Sequence, residues 1–167
     1  MRHVFLALIM LFGATLAAST QTLQPILQSH IEEIASPSRN SVGVALDDLV
    51  ASSLPQVTDF LEQWVEKNVW QSGDGTVFIA AETDNVLTLT DIDTGEQRTA
   101  PADGFKQLKP NGGVRRVIGT ALVQFQLADP DLTRRETAVA SIARRPEAAQ
   151  MAPLLASIDG ETDAALK

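Results

Sequence analysis

The 167-residue chain has no cysteine and no tyrosine, and only two histidines, two tryptophans and six phenylalanines. The first absence removes disulfides, thiolate nucleophiles and cysteine-held metals. His3 falls in the leader described below, so His30 is the one imidazole left, and a single imidazole without cysteine does not build the usual zinc cluster. A Ser–His–Asp triad through His30 lacks the G-x-S-x-G elbow that would present its serine, so His30 is expected on a helix surface. Glycine-rich phosphate loops are missing too, because Asn111-Gly112-Gly113 carries none of the rest of either nucleotide-binding motif. Positive charge is scarce. The net charge of −8 argues against nucleic acid or an anionic membrane as the main partner. The deficit is also local: Thr20–Phe105 has 3 basic and 14 acidic residues, whereas Lys106–Lys167 has 9 and 7. Such a break in character marks two structural units.

No apolar run reaches membrane-spanning length. Val4–Leu16 (VFLALIMLFGATL) gives about 20 Å of helix, short of a hydrocarbon core of roughly 30 Å. It follows a short basic stretch, Met1–His3, and precedes the small residues Ala17, Ala18 and Ser19. Residues 1–19 therefore read as a cleavable secretory signal. Export without any cysteine fits a periplasmic protein, and the missing cysteine at the cleavage region excludes lipoprotein processing.

What is present is ordinary for a globular chain, with 44% apolar and 20% charged residues. Leu23, Ile26, Leu27, Ile31 and Ile34 fall near helical spacing and predict one amphipathic helix over Thr22–Ala35. Ser36–Ser41 reads as a loop, and Val42–Ser53 as a short helix or irregular segment. A third stripe, Val57, Phe60, Leu61, Trp64 and Val65, follows Pro55 and runs to Lys67. The period changes at Asn68. Thr76–Ala81, Val86–Thr90 and a weaker Glu96–Ala100 are β-prone runs separated by SGDG, ETDN and DIDTG. They predict an antiparallel meander between Val69 and Leu108. Helical spacing returns in Val114, Val117, Ile118, Ala121, Leu122 and Phe125. Asp129-Pro130 then reads as an N-cap with proline at the first helical position, and a further helix carries Met151, Leu154, Leu155 and Ile158. The expected organisation is a signal (1–19), an N-terminal helical unit (20–67), a β-meander insert (68–109) and a C-terminal helical unit (110–167). The fold class is α+β, with HEAT-like antiparallel helix pairs of the α-solenoid type around a small antiparallel sheet. Glu161-Thr162-Asp163 resembles a fresh helix start, so a longer product or a partner is expected to continue the pattern.

One stretch has the look of chemistry. Asp93-Thr94-Gly95 is the tripeptide found around the catalytic carboxylate of aspartic proteases, whose mechanism needs two carboxylates and hence a symmetric dimer. Yet Asp91 stands two residues before it, Glu96-Gln97-Arg98 follows, and Val117-Ile118-Gly119 lies in a helical stripe. DIDTG is therefore expected to be a hairpin connection, with Gly95 at positive φ and Asp91 and Asp93 as turn polars. Calcium at Asp91, Asp93 and Glu96 would need a longer loop than this. Trp64 and Trp70 are expected to pack the sheet onto the helices. Arg115-Arg116, Arg134-Arg135 and Arg144-Arg145 are expected on solvated faces, pairing with Asp129, Asp131, Glu136 and Glu147. The residues thus predict no catalytic, cofactor-binding or metal site, and no enzyme.

The segment LEQWVEKNVWQSGDGTVFIAAETDNVLTLTDIDTGE (Leu61–Glu96) resembles the N-terminal extracytoplasmic region of UrtB, the permease subunit family of urea ABC transporters. PNGGVRRVIGTAL (Pro110–Leu122) and the helices from Leu127 to Lys167 are similar to the stretches that follow in that family, in the same order. Gly112-Gly113 stand where the family carries polar residues before the paired arginines. The resemblance implies HEAT-like helices with a short β segment. It also implies a non-catalytic periplasmic accessory role in uptake of urea or short amides, with the permease or the periplasmic substrate-binding protein as partner. No transmembrane permease segment lies within these residues.

Overall fold

The computed structural model describes residues 22–167, so the expected signal at 1–19 lies outside the described residues. Four helices come first: α1 (Leu23–Ser29), α2 (Ile31–Ala35), α3 (Val42–Ser52) and α4 (Gln56–Val65). Five strands follow: β1 (Val69–Ser72), β2 (Val77–Thr83), β3 (Val86–Asp91), β4 (Gln97–Pro101) and, after a 3₁₀ turn at Ala102–Gly104, β5 (Phe105–Gln107). Helices α5 (Gly112–Leu127), α6 (Leu132–Arg144) and α7 (Ala148–Gly160) complete an α+β architecture.

Two expected boundaries shift. The single helix over Thr22–Ala35 is broken at His30, where φ −114° and ψ 24° leave the helical region. Helix α6 is capped by Asp131, whose side chain accepts the Thr133 N–H at 2.8 Å, and not by Asp129. Asp129 accepts the Asp131 N–H at 2.8 Å instead, so Pro130 sits in the turn before the helix rather than at its first position.

The strands pair antiparallel in the order β4-β3-β2-β1-β5. The expected meander accounts for β2, β3 and β4, while β1 and β5 are four and three residues long and too short to show alternation. Their arrangement has a geometric consequence. β4 and β5 occupy opposite edges, which in a flat sheet would lie roughly 19 Å apart over four strand spacings. The four residue steps from Pro101 to Phe105 span at most about 14 Å. The sheet must therefore curl into a partly closed barrel, while the Ala102 N–H extends the β3–β4 ladder by bonding to the Asn85 carbonyl at 3.0 Å. Inside it lie Trp70, Phe78, Ala80, Leu87, Leu89 and Ala102, with Phe105 edge-on to Phe78 at 6.1 Å.

Strand alternation sends neighbouring side chains to opposite faces. Val69 and Val77 therefore turn outward, and with Ile92 and Leu108 they join a larger core built from α1–α4 and the first half of α5. Trp64 is wholly buried in this larger core beside Phe60, with ring centroids 5.7 Å apart. The two tryptophans thus serve two different cores instead of one shared seam. A third cluster (Val123, Leu127, Ala138 and Ile142) holds α6 to α5. The α6 helix runs antiparallel to α5. The α7 helix lies alongside α5 in the same direction: Thr120 bonds to Glu147 at its start, and Leu127 and Ala128 border one cleft with Ala156, Ser157 and Gly160 at its end. No described helix is long and apolar enough to cross a membrane.

Candidate functional site

The DIDTG segment joins β3 to β4, and its two aspartates divide two jobs between them. Asp91 Oδ1 accepts the Asp93 N–H at 3.0 Å, the Thr94 N–H at 2.8 Å and the Thr94 hydroxyl at 3.1 Å. This is a side chain standing in for a turn carbonyl. Gly95 takes φ +73°, and its N–H reaches the Asp91 carbonyl at 2.9 Å. Asp91 and Gly95 are the turn residues expected.

Asp93 is not a turn polar. Its carboxylate points out of the turn, with Oδ1 accepting the Leu23 N–H at 2.6 Å and Oδ2 the Gln24 N–H at 3.1 Å. These are unpaired donors of the first turn of α1, which a cap normally satisfies from within the helix. Thr22 occupies the N-cap position and makes no side-chain cap bond. Asp93 caps the helix from 70 residues away, and its charge also suits the positive end of a helix. Gln24 completes the junction. Its Oε1 accepts the Val77 N–H at 3.2 Å and its Nε2 donates to the Val77 carbonyl, so one side-chain amide pairs with β2 as a strand peptide would. No local pattern announces either contact; only the missing side-chain cap at Thr22 marks the place.

This geometry bears on the protease-like tripeptide. A catalytic dyad turns two carboxylates toward each other to share one proton, whereas the Asp93 carboxylate faces the start of α1. Both oxygens of Asp93 already accept backbone N–H groups.

Beside the turn is a cleft of about 350 Å³ lined by Asp74, Thr76, Phe78, Asp91, Glu96, Gln97 and Arg98. The Arg98 guanidinium covers the Phe78 ring at 5.0 Å from its centroid. The Ser72 hydroxyl at 2.5 Å, followed by the Thr76 N–H at 3.1 Å, holds the Asp74 carboxyl below its ordinary value. Among the described residues, no group of three or more His, Asp or Glu side chains is placed to hold a metal ion.

His30 sits at the α1–α2 break, half-buried, with Nε2 2.7 Å from Asp48 Oδ2 on α3. The nearby hydroxyls of Ser29 and Ser52 donate to the Ile26 and Leu49 carbonyls at 2.7 and 2.6 Å. They behave as helix-bound serines.

The arginine pairs depart from the expected pairing. Arg134 does meet Asp129, at 3.5 Å, but Asp131 is a helix cap and Glu147 bonds to the Thr120 hydroxyl at 3.0 Å. Arg135 reaches Glu161 instead, through two bonds of 2.9 and 3.2 Å, and also donates to the carbonyls of Asp129 and Pro130. That pairing lowers the Glu161 pKa and raises that of Arg135. Arg115, Arg116 and Arg145 take part in none of the ion pairs among the described residues.

No family model, curated protein or solved structure matches the chain.

Proposed function

We propose that the chain is a non-catalytic, extracytoplasmic interaction module of a urea-type or short-amide ABC uptake system. It works by surface contact with the permease or the periplasmic substrate-binding protein. The observation that carries the non-catalytic part is the engagement of Asp93, whose two oxygens hold the start of α1. The transporter part rests on the ordered likeness of Leu61–Glu96 and Pro110–Leu122 to the urea permease family. The residues of that likeness have scaffold duties: Trp70 fills the barrel, Asp74 and Gly75 turn β1 into β2, and Asp91 through Gly95 join the barrel to α1.

The test is uptake of labelled urea by a strain deleted for this chain, at substrate concentrations where passive entry is slow. Uptake is expected to fall and to return with the wild-type gene. In parallel, the purified chain should bind the cognate substrate-binding protein or permease. Normal uptake in the deletion, together with no binding to either subunit, would overturn the assignment.

A further inference from the structure

Helix α7 carries almost no charge. Of its 13 residues only Asp159 is ionisable, whereas α6, of the same length, carries Arg134, Arg135, Glu136 and Arg144. One side of α7 is occupied: Gln150 is buried, Leu154 packs against the cluster that holds α6 to α5, and Pro153, Ser157 and Ile158 are half-buried. On the other side Ala148, Met151, Ala152, Leu155, Ala156 and Asp159 recur at three- and four-residue spacing, which lines them up as one stripe along the helix. All six are exposed, Met151 at 46% and Leu155 at 62%. A helix that faces water carries polar side chains on that side, and one that is apolar on both sides is covered on both.

The charges at the two ends of the stripe point to what covers it. At its start, the α6–α7 turn holds Arg144 and Arg145, both exposed and in no ion pair among the described residues. Arg144 donates only its Nε–H, to the Ala140 carbonyl at 3.2 Å. Glu147 in the same turn is engaged by the Thr120 hydroxyl. At the far end stand Asp159, exposed, and Asp163, half-buried, with Glu161 between them held by Arg135. That leaves two carboxylates outside the ion pairs against Lys167 alone. The stripe is therefore cationic at one end, apolar along its middle and anionic at the other. Laid antiparallel on a copy of itself, it meets opposite charge at both ends; laid parallel, it meets like charge. Side-chain size agrees. With the pair centred between Pro153 and Leu154, Met151 comes level with the second copy's Ala156 and Leu155 with its Ala152, so each large side chain has a small one across from it. The same register brings Arg144 level with the second copy's Asp163.

We propose that the outer face of α7 is a self-association surface, which pairs with α7 of a second copy in an antiparallel dimer of two-fold symmetry. A seam of 13 residues is only about 20 Å long, which places the dimer at the weak end of specific interfaces. The proposal holds for the domain whether or not it serves a transporter.

The test is sedimentation equilibrium of the chain, purified as its host processes it, over about 5–500 μM, with a dimer expected to be half-formed at roughly 10–200 μM. Leu155→Glu, which sets two carboxylates in the middle of the seam, should raise the dissociation constant at least about tenfold. Arg144→Glu/Arg145→Glu and Asp159→Lys/Asp163→Lys should each weaken the dimer several-fold, and an equimolar mixture of the two should associate more tightly than either alone. Val44→Glu, at an exposed apolar residue of α3, should change nothing, and circular dichroism should show every variant folded. Because the chain has no cysteine, introduced ones report orientation. Ala148→Cys mixed with Asp159→Cys should form a disulfide under mild oxidation, whereas either variant alone should not, since its two copies would stand about 16 Å apart along the seam. A monomer over the whole range overturns the proposal, as does a dimer indifferent to Leu155→Glu or one that cross-links through Ala148→Cys alone. A chain that stays monomeric but binds a transporter subunit in a manner sensitive to Leu155→Glu would assign the stripe to that subunit and overturn self-association.

Discussion

The barrel with its α1 junction and the α6–α7 arm use charge and packing in different ways. In the barrel region, carboxylates are structural: Asp91 builds a turn, Asp93 caps a helix, and Asp74 is bound by Ser72 and Thr76. Leu87 and Leu89 are wholly buried there, and the region is tied to α1 by side chains 53 to 70 residues distant. In the α6–α7 arm the guanidinium groups mostly face water. Packing rests on one small cluster, and the distal end is closed by the Arg135–Glu161 pair. Carboxylates thus make architecture in both regions, since Asp129 and Asp131 build the start of α6, and it is the arm's guanidinium groups, apart from Arg134 and Arg135, that make surface. Backbone N–H groups at a turn or helix start need acceptors, which carboxylates supply and guanidinium groups cannot.

If the larger core joins helices and barrel, emptying its centre should unfold both together. Trp64→Ala is expected to cost about 3–5 kcal/mol, because a wholly buried indole leaves a cavity that its neighbours fill only in part. Val69, Val77, Ile92 and Leu108 belong to the same core, so chemical denaturation followed by far-ultraviolet circular dichroism and by Trp70 fluorescence should give coincident transitions. A surviving barrel signal after the helices melt would show that the barrel is independent.

The arm should behave differently. Ile142 is 4% exposed in a cluster of four, and Ile142→Ala is expected to cost about 2–4 kcal/mol. That loss should fall mainly on α6 and α7, read as lost amide-exchange protection there with β2 and β3 unchanged. Equal loss in β2 and β3 would mean one cooperative unit and remove the contrast.

How far each region could be read in advance follows the reach of its interactions. The apolar stripes of α4 and α5 depend on residues three and four apart, so a local pattern carries them. Asp91 and Gly95 were readable as a turn for the same reason. Asp93 was not, because its partners, Leu23 and Gln24, lie near the other end of the described chain and its neighbours belong to a turn that already has its own carboxylate. β1 and β5 escape a periodic reading because three or four residues show barely one repeat, and pairing alone defines them, β1 with β2 and β5, and β5 with β1. Asp129 and Asp131 compete for one helix start two residues apart, and the choice is settled by which side chain reaches the Thr133 N–H. The arginine pairs mislead because spacing along a helix predicts who can meet, whereas Glu161 approaches Arg135 from beyond another helix.

The junction itself can be weighed against the ordinary capping rule. Asp93→Ala is expected to cost about 1–3 kcal/mol, since it strands two helix-start donors that are partly shielded from water. Asp93→Asn should cost less, because one amide oxygen remains to accept. Thr22→Ala, at the position a local reading would choose as the cap, should stay within about 0.5 kcal/mol of wild type. Urea denaturation of the three variants checks the order, and a Thr22→Ala loss as large as that of Asp93→Ala would return the cap to the helix's own sequence.

The smallest effect concerns the one ion pair that closes the arm. Hydrogen bonding to Arg135, followed by the Asp163 N–H, holds the Glu161 carboxyl below its ordinary value of 4.5. A carboxyl with a lowered folded pKa contributes stability that is present above that ordinary value and is lost as the pH falls through the folded one. Arg135 is raised above its ordinary value by the same partner, so it remains charged throughout and adds no step in the acid range. Acidification from neutrality should therefore leave the arm intact down to about pH 4.5 and loosen it below, with exchange rising in α6 and in residues 161–163. Glu161→Gln should shift exchange only modestly at neutral pH, because the amide oxygen still accepts from Arg135, and should flatten the acid step. Asp74 adds a parallel step at the β1–β2 turn, also lost as the pH falls through a lowered folded value, so the readout must be resolved by residue. An acid step confined to the barrel, with α6 and α7 unmoved, would show that the arm is held by its apolar cluster alone.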